Sequence, residues 1–325
     1  MKQTNKPRTS MKYGLLFAFI MFMNIANAEE NLWVYTQGTD TRPKGSVEVK
    51  LSDVIRMDKD SGDYTFHEIR PEFEYGITDR LTIGLEALVF RHDYSDVEWG
   101  PMVDTQGGEG GSFKNTGIGG VEVSLKYNVL SPYKDAIGLS VGGAWEYRSL
   151  YRLDGADIDQ HSIVPTIWLQ KNWLDDTLVL ASKNKMEFER RKGPGVLEEE
   201  IAFDLSLGLS YRVAPKWFVG VETRYQSDFL SPEEKGLDEN GNYFKEIAGK
   251  PSSWDLGDFA IGDQFQYGLY LGPTVHYAEE NWWATAGLLF QVKGWGADGE
   301  EHSRDGYNWD EHERYHLGLF FGYEY

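Results

Sequence analysis

Residues 201–213 read IAFDLSLGLSYRV. Ile201, Phe203, Leu205, Leu207, Leu209, Tyr211 and Val213 occupy one set of alternate positions, and Asp204, Ser206, Ser210 and Arg212 fall in the other. Successive side chains of a β-strand point to opposite faces, so this stretch is a strand with one oily and one wet face. A strand of a soluble sandwich turns its apolar side to a core and its polar side to water. Which solvent meets the oily side is the question that decides the fold.

The same division recurs along the chain. In SVEVKLSDVIRM, Val47, Val49, Leu51, Ile55 and Met57 oppose Ser46, Glu48, Lys50, Ser52 and Arg56. In VEVSLKYNV, Val121, Val123, Leu125, Tyr127 and Val129 oppose Glu122, Ser124, Lys126 and Asn128. YHLGLFFGYEY, residues 315–325, sets Tyr315, Leu317, Leu319, Phe321, Tyr323 and Tyr325 against His316, Gly318, Phe320, Gly322 and Glu324.

From Gly45 onward such segments are separated alternately by short and by long polar stretches. The short breaks are Thr78 to Arg80, Ser131 to Asp135, Asp175 to Asp176, Ala214 to Lys216 and Glu279 to Asn281. Those between them are Lys59 to Tyr64, Asp96 to Thr116, Arg152 to Gln160, Gly193 to Glu199, Ser231 to Gly262 and Ala297 to Trp309. Short turns therefore fall on one side and long loops on the other, around about twelve strands. This is the pattern of an up-and-down antiparallel transmembrane β-barrel; a sandwich has no reason to sort its loops by length.

Aromatic residues give an independent check, because rings gather at the two membrane interfaces. Beside the short turns lie Tyr75, Tyr127, Trp173, Tyr211, Trp217, Tyr277, Trp282 and Trp283; near the long loops lie Trp145, Tyr147, Tyr225, Phe229, Phe265 and Trp295. The chain has no cysteine, which excludes disulfides, thiolate metal sites and a cysteine nucleophile. A formal charge of −20 argues against nucleic acid as a partner.

At the other end, Lys2, Lys6, Arg8 and Lys12 precede the apolar run GLLFAFIMFMNIA, and Ala26-Asn27-Ala28 follows it. A basic start, a short apolar run and a small-x-small site make residues 1–28 a secretory signal cleaved after Ala28. The run is shorter than the roughly 20 residues a spanning helix needs. Residues 29–44 are then expected to form a short periplasmic lead-in tucked into the barrel mouth, and 45–325 the barrel.

NLWVYTQGTDTRPKGSVEV, residues 31–49, and FHEIRPEFEYGITDRLTIGLEA, residues 66–87, carry the VYT, RPKG and EYGITDRL elements. In their combination the chain resembles a family of Gram-negative outer-membrane barrels of unknown function. The resemblance implies location and fold and brings no substrate or catalytic residue. An alternating strand that ends on an aromatic residue, here with Leu317, Leu319, Phe321, Tyr323 and Tyr325, also resembles the signal read by the outer-membrane assembly machinery.

Function then rests on the face opposite the lipid. Alternation assigns to the lumen Glu48, Lys50, Arg56, Glu68, Arg70, Glu72, Glu74, Glu86, Glu122, Lys126, Glu146, Arg148, Lys183, Lys185, Glu187, Glu189, Asp204, Arg212, Glu222, Arg224 and Lys293. The signs are interleaved, unlike the Arg- and Lys-lined wall expected of a channel for acidic oligosaccharides. Either opposing walls leave a narrow aqueous path for a small polar solute, or the charges pair and plug the barrel as a non-conducting structural or surface-interaction protein.

A lipid-modifying enzyme is a distant third reading. His67 and His161 have outward parity, but Ser162 adjoins His161 and so points the other way, leaving no nucleophile beside a base. The loop motifs DENGNY, with Asp238, Asn240 and Asn242, and DGADID, with Asp154, Asp157 and Asp159, do not complete a calcium loop. GGEGG, residues 107–111, lacks a strand-to-helix setting for phosphate. No metal and no cofactor is called for. The partners expected are outer-membrane lipid and lipopolysaccharide, the assembly machinery and a small polar solute, with the chain a monomer.

Overall fold

The computed structural model describes residues 31–98, 111–193, 197–230, 236–237, 243–244, 261–297 and 306–325. Fourteen strands follow in order: β1 (Val47–Met57), β2 (Asp63–Thr78), β3 (Leu81–Ser95), β4 (Ser112–Leu130), β5 (Gly138–Leu150), β6 (Asp157–Trp173), β7 (Leu178–Lys192), β8 (Leu197–Ala214), β9 (Trp217–Leu230), β10 (Gly236–Leu237), β11 (Tyr243–Phe244), β12 (Gln264–Ala278), β13 (Trp282–Gly296) and β14 (Tyr315–Glu324). Twelve of them form one closed sheet in which every neighbour is antiparallel. The remaining two, β10 and β11, pair only with each other within the long stretch before β12.

Closure joins β1 to β14, with Val49 opposite Tyr323, Leu51 opposite Phe321 and Ile55 opposite Leu317. The Tyr325 amide donates to the Val47 carbonyl at 2.9 Å, so the seam is bonded to its last residue. A closed sheet leaves no unpaired edge, which is the condition for strands to sit in hydrocarbon. Turns β2–β3, β4–β5, β6–β7, β8–β9 and β12–β13 lie at one end, and the longer connections lie at the other, as their lengths predict. Strands run further into the polar stretches than alternation indicates: β2 starts at Asp63 and β6 at Asp157.

The outward face is oily. Leu205, Leu207, Leu209, Tyr211 and Val213 of β8 are exposed, and Leu319 and Phe321 of β14 are 44% and 45% exposed. Leu317, Tyr323 and Tyr325 share that outward face. Rings cluster where strands end. Trp217, Tyr277 and Trp282 pack together beside the short turns, and Tyr225, Tyr267 and Trp295 near the loops.

Two rings depart from the girdle reading. Trp283 is buried inside and donates its indole N–H to Glu48 at 2.6 Å, because adjacent Trp282 already takes the outward position. Phe265 borders the internal cavity, beside a bulge between Gln264 and Gln266.

The inner face is less polar than alternation indicates. Tyr64, Phe66, Leu88, Phe90, Tyr94, Val97 and Leu150 form an apolar cluster on the inner wall toward the loops, with His92 against Phe66. Two smaller clusters, Val34–Val54–Tyr270–Leu289 and Trp33–Val179–Ala181, contain residues of the segment that precedes β1. That segment lies inside the barrel.

Candidate functional site: the lumen

The lumen is shaped from the short-turn end by residues 31–44. Glu222 of β9, fully buried, accepts the backbone N–H of Val34 at 2.9 Å on Oε2, and those of Tyr35 and Thr36 at 2.8 and 2.6 Å on Oε1. Such a segment has no sheet partner for its amides, and one carboxylate supplies three acceptor bonds. Further along, Gln170 accepts the Thr39 N–H at 2.7 Å, and Ser140 and Asn128 donate to the Thr39 carbonyl at 2.5 and 2.8 Å. Lys126 donates to the Gly38 carbonyl at 2.8 Å.

Arg42 anchors the exit of the segment. Its guanidinium reaches Glu48 at 2.6 Å, Glu324 at 2.7 Å and Glu74 at 3.4 Å, so one cation ties β1, β2 and β14 at the barrel seam. Room for the segment comes from missing side chains. A Cβ on Gly208 would stand 2.5 Å from Trp33, and one on Gly318 would stand 2.4 Å from Val34. Tyr35 lies under the Arg224 guanidinium at 3.6 Å and shares a 2.8 Å hydrogen bond with His316; burial pushes its hydroxyl up to about 12, so it stays protonated.

From the loop end, two connections fold inward. In the first, Tyr64 and Tyr94 donate to the carbonyls of Leu153 and Asp154 at 2.8 and 3.0 Å. In the second, Gln291 and Asn308 exchange two 2.8 Å bonds, Tyr270 donates to the Glu313 carbonyl at 2.8 Å, and Lys59 donates to that of Asp310 at 2.5 Å. Burial depresses the Lys59 ammonium and holds the His312 imidazole down to about 3. Burial would raise the Glu313 carboxyl, but Lys59 and the His316 hydrogen bond keep it well below the usual carboxylate range.

Between these two closures lies a cavity of about 940 Å³. Its wall on β2–β5 is acidic in an unusual way. Glu72, Glu86, Glu122 and Glu146 stand directly opposite one another on four consecutive strands. Like charges in such register repel. Arg70 offsets this: its guanidinium meets Glu68 at 2.6 Å, Glu86 and Glu146 at 3.2 Å and Glu122 at 3.3 Å. Lys50 bridges Glu72 and Glu74 at 2.9 and 2.8 Å.

From β5 round to β9 the signs mix. Arg148 pairs with Glu146 and approaches Glu187 and Glu189 at 3.6 and 3.7 Å, and Arg224 holds Asp204 with two 2.9 Å bonds. Lys183 and Lys185, successive inward residues of β7, border the cavity, and among the described residues their side-chain ammonium groups make no ion pair or hydrogen bond.

Seventeen of the residues that alternation assigns to the lumen border this cavity; Glu48, Arg212, Glu222 and Lys293 do not. Glu48 and Glu222 hold the inserted segment. Arg212 sits below it, donating to the Asp176 carbonyl at 3.1 Å. Lys293 is a correction. A register shift at Leu269/Tyr270 leaves Val292 and Lys293 both exposed, with Lys293 opposite outward-facing Leu269, because an extra residue in a strand reverses the parity beyond it.

Of the outward histidines, His67 shares a 2.9 Å hydrogen bond with Asp53, and His161 packs against Trp145 and Tyr147 while Ser162 is buried inside. Asp154 is buried and accepts the Ala156 N–H, whereas Asp157 and Asp159 are exposed. Asp238, Asn240, Asn242, most of GGEGG, and Ala26 and Ala28 lie outside the described residues.

The inserted segment carries only a faint mark in the sequence. Its signal is the run LWVY with no alternating partner pattern, together with Gly208, Gly220, Gly287 and Gly318 at inward positions.

Comparison with solved structures places the fold. The COG4313 outer membrane channel from Pseudomonas putida F1 is similar at a TM-score of 0.53 and 10% identity, over 88% of this chain and 98% of that one. The NanC porin and the KdgM porin give TM-scores of 0.45 and 0.43 at 10% and 11% identity, over 84% and 86% of this chain and 97% and 98% of theirs. No curated protein matches the sequence. A closed twelve-strand antiparallel sheet with an oily exterior is a transmembrane β-barrel of the outer-membrane kind. A family model matches residues 25–325, and the chain belongs to that family, the family of unknown function DUF6662.

Proposed function

We propose that the protein is a narrow outer-membrane pore for passive diffusion or uptake of a small polar solute. One observation carries this: a cavity of about 940 Å³ persists in the lumen, bordered by charged side chains of both signs, after the chain has closed in from both ends. A barrel of this size meant only as a wall has no need to leave lysines unneutralised next to water.

In this reading the signal is removed after Ala28, the short turns and residues 29–44 face the periplasm, and the long loops meet lipopolysaccharide. The strand ending at Tyr325 serves the assembly machinery, and the chain acts as a monomer. The test is single-channel conductance of refolded protein in planar bilayers. Discrete steps altered by Arg70→Gln or Glu72→Gln support the pore.

The second reading, a non-conducting structural barrel, draws on the inserted segment and its Glu222 and Arg42 anchors. Silent bilayers at every voltage, with protein shown to be folded and inserted, would decide for it.

A further inference from the structure

We infer that the cavity is a binding site for a small zwitterion, with Lys183 and Lys185 taking a carboxylate and Glu86 and Glu122 taking an ammonium group. This rests on reading the lumen as a solute path and names the class of solute.

The two lysines differ from the other cations around the cavity. Lys50, Arg56, Arg70, Arg148, Arg152, Arg191 and Arg224 each approach a carboxylate within 4 Å, and Lys126 is bonded to Gly38. Lys183 and Lys185 touch none, although both are partly accessible to the cavity. Two residues apart on one strand, they project in the same direction about 7 Å from each other at their roots. Long flexible stems let two ammonium groups so placed converge on one carboxylate.

The acidic side carries the opposite surplus. Glu86 and Glu122 share a single nitrogen, Nη1 of Arg70, whose guanidinium also serves Glu68 and Glu146. Four carboxylates around one cation leave acceptor capacity for an ammonium donor. Glu86 and Glu122, like the lysines, are only partly buried.

The two surpluses feel each other without meeting. Lys183 and Lys185 lie within Coulomb range of Glu122, yet neither forms an ion pair with it. A solute carrying both charges bridges that gap. A pure anion gains the lysines and faces the glutamates, and a pure cation meets the reverse, so the field selects for both charges on one molecule. The cavity volume is within the range of small-ligand pockets.

The experiment is titration calorimetry of the refolded, full-length mature protein at neutral pH. The probes are dialanine, N-acetyl-dialanine, which lacks the ammonium, and dialanine methyl ester, which lacks the carboxylate. Dialanine is expected to bind, with each blocked form at least tenfold weaker. Lys183→Gln/Lys185→Gln should weaken dialanine at least tenfold and leave the ester unchanged, Lys183→Arg/Lys185→Arg should retain binding, and Glu86→Gln/Glu122→Gln should weaken the ester.

Equal binding of all three probes, absence of heat for dialanine, or wild-type dialanine affinity in Lys183→Gln/Lys185→Gln overturns the inference. If that variant does not fold, the three probes on the wild type decide alone. Conductance separates the two readings: steps without dialanine binding remove this site and keep the pore, and binding without steps removes the pore and keeps the site.

Discussion

Glu222→Gln should loosen the inserted segment, and the size of the effect can be worked from its three hydrogen bonds. The carboxylate accepts Val34 on one oxygen and Tyr35 and Thr36 on the other. An amide keeps one acceptor oxygen and turns an N–H₂ toward the remaining backbone donor. If the oxygen stays with Tyr35 and Thr36, the Val34 N–H is orphaned in a buried place, at a cost of ~1–3 kcal/mol. The two surviving bonds fall from charge-assisted to neutral strength, losing ~1 kcal/mol each.

The sum, ~3–5 kcal/mol, raises the released-to-docked ratio of residues 31–36 by a factor on the order of 100 to 3000. Because the chain has no cysteine, Thr36→Cys gives a single reporter at a fully buried position. Maleimide labelling of that thiol in folded protein should accelerate by that factor, up to the rate of a free thiol. Labelling within threefold of the Glu222-containing parent would refute the assignment of Glu222 as the clamp.

Other consequences are measurable. Arg70→Met leaves Glu68, Glu86, Glu122 and Glu146 around an uncharged side chain, and the barrel should lose ~3–5 kcal/mol, read as a lower denaturant midpoint. Leu207→Arg, at an exposed position well inside β8, should cost ~2–4 kcal/mol in bilayers. The 306–314 connection should loosen in acid. His312, held to about 3 against an ordinary 6.5, takes up a proton only on release, so docking is complete above about pH 6.5 and weakens steadily below it. Glu313, likewise depressed, adds to the loss below about 4.5, and proteolysis of the folded protein across pH 7 to 4 should show cleavage in this connection rising as pH falls.

The exterior of this barrel was legible because lipid imposes one rule on every outward position. Leu205, Leu319 and Phe321 had to face outward, and any strand that broke the rule would not insert. The interior has no such uniform demand. Phe66 and Phe90 share inward parity with Glu68 and His92, and nothing in β2 or β3 alone tells that they pack together over the folded-in Tyr151–Asp154 connection. Alternation misplaces Lys293 because one bulge shifts parity and leaves no mark in the apolar–polar pattern. The four-glutamate row is visible only after register is known: the up-and-down order says that β2 to β5 pair in sequence, but not that Glu72, Glu86, Glu122 and Glu146 fall opposite one another.

The inserted segment and the cavity are two consequences of one dimension. A barrel of about eight strands can fill its interior with its own side chains, whereas twelve leave a lumen too wide for that. Unfilled space in such a lumen takes water or chain. At the short-turn end small residues clear the wall, as Gly208 and Gly318 do for Trp33 and Val34, and the chain enters. At the cavity level the inward positions carry long charged side chains instead, and the cavity of about 940 Å³ lies between them. Filling the glycine positions therefore ought to act on the segment and spare the cavity. In Gly208→Ala the new Cβ would stand 2.5 Å from the Trp33 ring and force it aside, so Thr36→Cys should label faster in that background. Unchanged labelling would mean the glycines are not what admits the segment.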